Sequence, residues 1–328
     1  MKVIITGGLG FLGRRLGRRL LELGELTVED GGTASIDSLV LADRAVPAER
    51  SPWMDSRVEL VACDVLDREA TFGLVDRDDV GVFHLAAVVS AEAERDLDLA
   101  LRVNIDGGRN VLDAVRRRAG RQRVVVTSTY AVFGGELPAV CGDDTKLTPQ
   151  TTYGMTKAVL ELLVADYSRR GLIDGRVARL PTVIVRPGSA NAAASSVASA
   201  VFREPLAGRA YEVPVTEGTR MAVTGVRTAV EGLIALHEAS GARLGADRSV
   251  CFPSTAVSIR EMVECLHRVG EGRALGPVSW KVDPVVQAMV SSWPPDVDAG
   301  RAIAAGIPAT DELDRIVREA VDTLGDPG

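Results

Sequence analysis

Tyr153 and Lys157 stand four positions apart in the run Thr152-Tyr153-Gly154-Met155-Thr156-Lys157, and a phenol beside an ammonium is a pair suited to taking a proton from a substrate. The apolar residues that follow, Val159, Leu160, Leu162, Leu163 and Ala165, recur at helical spacing, so the two side chains share one helical face. At roughly 1.5 Å of rise per residue their Cα atoms lie about 6 Å apart along the axis. A phenol titrates near pH 10, and a nearby cation favours the phenolate. Bringing it close to neutrality takes roughly 4 kcal/mol, more than one lysine supplies, so a second positive charge is expected beside it. Residues 123–126 read as a strand, and the hydroxyls of Thr127, Ser128 and Thr129 gather at its carboxyl end. Ligands of doubly wound sheets bind at that edge, so Ser128 or Thr129 can hydrogen-bond the oxygen that Tyr153 deprotonates.

The elements that must position these groups begin at the N-terminus. Lys2-Val3-Ile4-Ile5-Thr6 is a short β-branched run, and Gly7-Gly8-Leu9-Gly10-Phe11-Leu12-Gly13 after it opens an amphipathic helix that continues to about Leu23. Gly7, Gly10 and Gly13 let the backbone turn tightly and approach a pyrophosphate, while the N-terminus of the helix that this run opens, with Phe11 and Leu12 in it, offers free N–H groups and a positive dipole end. A dinucleotide held there brings the second positive charge on its oxidised nicotinamide ring. The next strand, residues 38–42, ends in Asp43, whose carboxylate suits two ribose hydroxyls and repels a 2′-phosphate. That points to NAD over NADP, although Arg14 and Arg44 are nearby in sequence.

Residues 58–63 form a third strand, after which Asp64-Val65 can meet the adenine edge, or Asp64 can cap a helix. A fourth strand, residues 80–85, runs through His84, read as a packed residue, into Leu85-Ala86-Ala87, small enough to pass beneath a cofactor. A helix is expected over residues 94–118, with Asn104 in an apolar stripe of Leu101, Ile105 and Leu112; a buried Asn needs partners, here the active-site backbone or a water. Residues 25–37 read as a surface loop. Residues 176–185 form a sixth strand, after which the alternation loosens. The expected architecture is α/β: a Rossmann-like doubly wound parallel sheet binding NAD over residues 1–180. A smaller substrate-binding domain covers residues 181–328, some segments of which return to the first.

The 328 residues are 46% hydrophobic and 25% charged, ample for a large core, and the net charge of -7 argues against nucleic acid or an anionic membrane as partner. Cys63, Cys141, Cys251 and Cys265 are scattered and histidines number 3, so no metal site is expected and a reducing cytoplasm fits. No apolar run approaches the roughly 18 residues that span a bilayer.

With Thr6 to Gly13, Asp43, Asp64, Ser128-Thr129 and Tyr153-x-x-x-Lys157 in this order, the chain resembles the extended short-chain dehydrogenase/reductase superfamily over its whole length. Measured back from Gly134 of Ala131-Val132-Phe133-Gly134, the resemblance puts the hydroxyl catalyst on Thr129, with Ser128 beside it on the substrate. Members that dehydrate nucleotide sugars carry an acidic pair directly after that hydroxyl; Tyr130 and Ala131 stand there instead, so dehydration is not expected, whereas a nucleotide-sugar epimerase stays open. The run from Asp143 to Lys157 and the segment Arg179-Leu180-Pro181-Thr182-Val183-Ile184-Val185-Arg186-Pro187-Gly188, followed by Asn191 to Ser196, more closely resemble the D-erythronate 2-dehydrogenases of that superfamily.

The resemblance implies NAD-linked oxidation of the C2 hydroxyl of a four-carbon sugar acid, in one hydride transfer with Tyr153 as general base and Lys157 on the nicotinamide ribose. It implies Pro181 and Val183 at the nicotinamide and Thr182 and Arg186 near the substrate. It also implies a homodimer, joined as a four-helix bundle through the helices that carry Asn104 and Tyr153. A carboxylate substrate gains from a guanidinium, which grips it through two parallel bonds, so Arg186 and Arg220 are the candidates, with Asn191 and Ser195 beside them. Tyr130, Phe133 and Trp293 read as packing residues. A dinucleotide-sensing protein without catalysis is the rival of another class, and such proteins usually lack the Tyr and the Lys.

Overall fold

The computed structural model describes residues 1–28, 31–188 and 194–323. Strand β1 (Lys2–Thr6) is buried at every residue, as a central strand covered on both faces must be. Helix α1 (Phe11–Leu23) follows the glycine turn and stops at Gly24, whose left-handed φ of 76° returns its N–H to the Leu20 carbonyl. Where a loop was expected, β2 (Glu25–Thr27) and β3 (Thr33–Ser35) pair as an antiparallel hairpin. Leu26 is buried in the core and Glu238 accepts from the Thr27 amide, two ties that sequence patterning over so short a stretch does not announce. Then come β4 (Ser38–Asp43), β5 (Val58–Ala62), α2 (Arg68–Leu74) and β6 (Val80–His84).

The single helix expected over residues 94–118 is broken into α3 (Ser90–Arg95), α4 (Leu97–Ala100), a π-helical stretch (Leu101–Gly107) and α5 (Gly108–Val115). Asp96 causes the first break: it leaves helical geometry (φ −135°, ψ 88°), and its side chain accepts from Leu99 N to start a new turn. After β7 (Arg123–Thr129) comes α6 (Thr152–Arg169), capped by Thr151, whose hydroxyl accepts from Gly154 N at 3.1 Å. Its buried stripe runs Lys157, Leu160, Glu161, Val164 and Ser168, while Leu162 is 67% exposed.

The sixth strand divides at Pro181 into β8 (Asp174–Leu180) and β9 (Thr182–Ile184), because a residue without an N–H cannot continue the ladder. The rest of the chain comprises α7 (Val197–Leu206), β10 (Tyr211–Val213), β11 (Arg220–Gly225), α8 (Val226–Glu238), α9 (Gly241–Leu244), β12 (Ser249–Cys251), β13 (Thr255–Ser258), α10 (Ile259–Val269), β14 (Val278–Trp280), α11 (Pro284–Ser291), α12 (Gly300–Ala304) and α13 (Leu313–Thr323).

The main sheet has seven parallel strands in the order β5-β4-β1-β6-β7-β8-β12. Alternation divides its side chains: Val3 and Ile5 face a core shared with Leu16 of α1 and Leu233 of α8, while Ile4 faces one shared with Leu112 of α5 and Leu160 of α6. Chain order reverses between β1 and β6, where Leu85 N donates to Thr6 O at 2.9 Å, and a crevice opens at that point. A second sheet, β13-β11-β9, packs with α7, α10 and α13 around Ile184, Phe202, Val223, Leu266 and Ile316. Between its strands the chain goes back to the main sheet, laying α8 against its core and β12 beside β8.

Candidate active site

The glycine turn lies at the β1/β6 reversal. Gly7 has φ 70°, and a Cβ there would sit 2.7 Å from Ala86 N; one on Gly13 would sit 2.4 Å from Gly7 O. The first turn of α1 therefore rests directly on the loop backbone. Gly10 at its N-cap places no side chain over the helix end, leaving N–H groups and the positive dipole end for an anion. Asp43, at the end of β4, accepts from Leu9 N at 3.3 Å and Arg44 N at 2.9 Å, which holds its carboxylate beside the same turn. A glycine turn at a helix N-terminus with a carboxylate beside it fits the pyrophosphate and ribose of NAD. Leu85 and Ala87 line the adjoining cavity together with Gly7, Gly10, Phe11, Leu12 and Gly13, and Ala86 backs Gly7.

Three further expected cofactor residues make contacts of their own within the protein. Asp64 is exposed and accepts from Leu66 N, and Asp67, not Asp64, caps the following helix. Val65 is buried, with Gly107 against its side chain and its carbonyl accepting from Asn110 Nδ2 at 2.9 Å. Asn104 is fully buried and its amide is committed: Oδ1 accepts from Val88 N at 2.8 Å, and Nδ2 donates to Val88 O at 3.0 Å and Thr156 Oγ1 at 2.9 Å. It ties the segment after Ala87 to α6, so its reach is to the active-site backbone and not to a cofactor.

Tyr153, Lys157 and Thr129 line one cavity, and the Lys157 Nζ lies 5.9 Å from the centroid of the Tyr153 ring. Nζ donates to Thr127 O at 2.8 Å. Burial draws the Lys157 ammonium down to about 8, against the opposing Glu161 carboxylate. Burial also pushes the Tyr153 phenol up to about 12, and the cation that opposes this is Arg186. Lysine was the expected source of that pull; Arg186 joins it as a second protein cation whose charge favours the phenolate. His84 is packed as expected, its Nδ1 at 2.6 Å from Thr6 Oγ1 and burial pushing it down to about 3.

Ser128 lines the same cavity, but its hydroxyl has a partner within the protein. Its hydroxyl donates to Glu161 Oε1 at 2.5 Å inside a buried ion pair, in which Arg179 Nη2 donates to Glu161 Oε2 at 2.8 Å. Alternation along β7 turns Ser128 to the α6 side and its neighbour Thr129 to the other face. Thr129 Oγ1 accepts from Ala131 N at 3.2 Å, which leaves its proton to donate. One further contact went unread in the sequence. A Cβ on Gly154 would lie 2.0 Å from Ala131 O, so α6 presses its first turn onto the loop that carries Thr129.

Pro181, Thr182, Val183, Arg186, Ser195 and Arg220 line the far side of the cavity. Arg186 Nη2 donates to Ser195 Oγ at 3.1 Å, and its backbone N donates to Ser199 Oγ at the same distance. Arg220 is exposed and donates to Ala256 O at 3.0 Å. Asn191 lies outside the described residues. Trp293, read from sequence as a packing residue, also lines this wall with Met221, Val290 and Pro294. Nothing in the spacing around it marks it, since it arrives from the far end of the chain.

The chain as a whole is similar to known proteins. A family model for the NAD dependent epimerase/dehydratase family matches residues 3–243. A D-erythronate dehydrogenase of Cupriavidus necator is 44% identical over 325 residues, covering 99% of both chains. Another, of Haemophilus influenzae, is 35% identical and covers 98% of this chain and 99% of its own. Among solved structures, a nucleoside-diphosphate-sugar epimerase from Agrobacterium tumefaciens is similar with a TM-score of 0.90 at 35% identity, covering 100% of this chain and 94% of that one. Among the described residues, no helix is long and apolar enough to cross a membrane.

Proposed function

The chain belongs to the NAD dependent epimerase/dehydratase family, and from that membership we propose that it oxidises the C2 hydroxyl of a small sugar acid, D-erythronate, to the 2-oxo acid with NAD. The likeness to a D-erythronate dehydrogenase over 99% of both chains carries this reading. It is supported by a cavity that joins a general base to two arginines. NAD, when bound, supplies the hydride acceptor. Tyr153 as phenolate takes the hydroxyl proton while the C2 hydrogen leaves as hydride and the carbonyl forms. Thr129 donates to the reacting oxygen and orients it, and Arg186 and Arg220 receive the carboxylate. Lys157, anchored on the Thr127 carbonyl, holds the ribose and adds its charge to that of Arg186. Gly7, Gly10, Gly13 and Asp43 hold the pyrophosphate and adenosine ribose; Pro181, Thr182 and Val183 border the reacting centre. Ser128 and Asn104 serve as positioning residues.

Incubating the purified protein with NAD and D-erythronate tests the reading: one NADH per 2-oxo acid is expected. Inert D-erythronate, while other sugar acids are oxidised, would move the reading to another acid. The similarity to a nucleoside-diphosphate-sugar epimerase favours a second reading, in which the cofactor stays bound and the hydride returns to the opposite face. Epimerisation of a nucleotide sugar without NADH release would select it. The reading includes a homodimer: Leu97 on α4 is 52% exposed and Leu162 on α6 67%, apolar surface on the helices expected to pair. A monomer by light scattering at micromolar concentration would remove that part. Its compartment is the cytoplasm, in keeping with cysteines that are all free.

A further inference from the structure

Burial works against the charge that Lys157 has to carry. The residue is 1% exposed, and loss of solvent draws its ammonium down to about 8, so the charge is only just kept near neutrality. The groups that face it offer little relief. His84 of β6, beside Thr127 in the sheet, is uncharged, pushed down to about 3 by burial and by Lys157 itself. On the cavity side stand the Tyr153 phenol and Arg186, a second cation. The π-helical stretch turns uncharged Asn104 to α6, its Arg102 and Asp106 being exposed. Glu94 of α3 and Asp113 of α5 meet α6 near its two ends, at Thr152 N and Tyr167 Oη. Glu161 is different: it stands one turn after Lys157 on the same buried stripe, and its charge opposes the loss.

The carboxylate is held as firmly as the groups beside it. Glu161 is 3% exposed; its Oε1 accepts from Ser128 Oγ at 2.5 Å, and Arg179 donates from Nε to both oxygens and from Nη2 to Oε2 at 2.8 Å. Arg179 comes from β8, opposite Ser128 in the register with β7, and its Nη1 donates to Asp143 O. Thr127 and Thr129 flank Ser128 on β7; the first takes Lys157 Nζ, and the second serves the reacting oxygen in the reading above. One length of sheet thus fixes ammonium, carboxylate and hydroxyl together. We propose that Glu161 is a positioning residue for the oxidation, its carboxylate holding Lys157 as an ammonium beside Tyr153. The proposal rests on the reading in which Tyr153 is the general base. Side chains four apart on a helix are neighbours, close enough for a carboxylate to favour the charged form of a buried amine. Arg179 partners the carboxylate from the neighbouring strand, so Glu161 is not left as an unpaired charge in the interior.

The test reads the ionisation of Lys157 directly. The chain has 4 lysines, Lys2, Lys146, Lys157 and Lys281, so protein made with lysine ¹³C-labelled at Cε gives a short set of signals, among which Lys157→Met identifies the one from the site. Titration of the full-length protein should place the Lys157 midpoint at about 8. In Glu161→Gln the midpoint should fall by about one pH unit or more, the size of a lost opposite charge at close range, while exposed Lys281 stays in place. Arg179 without its partner adds to that fall and can unfold the protein, so Glu161→Gln/Arg179→Met, which removes both charges, is measured beside it. Its midpoint should fall as well. Kinetics with NAD and D-erythronate give the second readout. The alkaline decline of kcat/KM should begin at lower pH in both variants, whereas a merely structural role would lower kcat/KM by one factor at every pH. A Lys157 midpoint that stays in place in the double variant overturns the proposal and leaves the oxidation reading standing. A midpoint that falls with no change in the pH profile overturns it too, because the charge then does nothing for the reaction. If the native protein oxidises no sugar acid, the oxidation reading falls. A midpoint that still drops would then keep the assignment of Glu161 to the charge of Lys157, and one that does not would overturn it.

Discussion

Gly154→Ala sets two effects of opposite sign against each other. Alanine is the better helix former, by at most roughly 1 kcal/mol, and by propensity alone the change should stabilise α6. The new methyl, however, would lie 2.0 Å from the Ala131 carbonyl oxygen, with Pro149 Cβ at 3.1 Å on its flank. Ordinary contact needs about 3.5 Å, so helix and loop must separate by at least about 1 Å. Overpacking of that kind costs about 1–3 kcal/mol, leaving a net loss between roughly 0 and 2 kcal/mol. For 328 residues each kcal/mol corresponds to about 1.5 °C, so Tm should fall by less than about 3 °C. Activity should suffer far more. Tyr153 precedes the substituted residue and Thr129 stands two residues before Ala131, so the separation opens between the base and the hydroxyl that share the reacting oxygen. A misplacement of about 1 Å costs on the order of 100-fold in rate. Paired measurements of Tm and steady-state NADH formation decide it. Gly73→Ala is the control: the position is helical and exposed, nothing lies within 4 Å, and the propensity gain should appear alone. A Gly154→Ala enzyme with native kcat and a raised Tm would refute the packing argument.

Tyr153→Phe should lower kcat by roughly two to four orders of magnitude and leave NAD affinity by calorimetry nearly unchanged; native turnover would remove the residue from the chemistry. Arg186→Met should raise KM for D-erythronate far more than for a neutral polyol, and equal effects on both would discard it as a carboxylate ligand. Lys157 carries a pH prediction. Its value falls from 10.5 in the free side chain to about 8 in the folded protein, so between those values the unfolded chain holds more protons on this group. Its contribution to stability is present above 10.5 and is lost as pH falls through about 8, on the order of 3 kcal/mol for so buried a group. Denaturant titrations should therefore show a rise in stability from pH 8 toward 10 that Lys157→Met flattens. Identical slopes in the two proteins would contradict the assignment.

The parts of this site that a reader of the sequence can find are those fixed by local spacing. Val3 to Gly13 spells strand, turn and helix within a few residues, and Tyr153 with Lys157 needs only the helical repeat to share a face. Thr129 and Ser128 could have been separated as well. Successive residues of a strand point to opposite faces, so the two hydroxyls face different ways, and that of Ser128 meets the Glu161–Arg179 pair. Other features depend on contacts between distant segments. The Gly154 to Ala131 contact and the arrival of Trp293 leave no periodic trace. Arg186 as the cation facing Tyr153 was equally hidden, because Pro181 first moves the chain from one sheet to another. The break at Asp96 lies between these cases: an Asp three residues before Leu99 is a local cap signal, overridden in reading by the longer apolar pattern around it.

The most direct test of the central claim uses D-erythronate carrying deuterium at C2. Oxidation at that carbon by hydride transfer predicts a primary isotope effect on kcat/KM with one deuterium in the reduced cofactor for each 2-oxo acid formed. Reduced cofactor without deuterium, or deuterium retained in the sugar acid, would contradict the account.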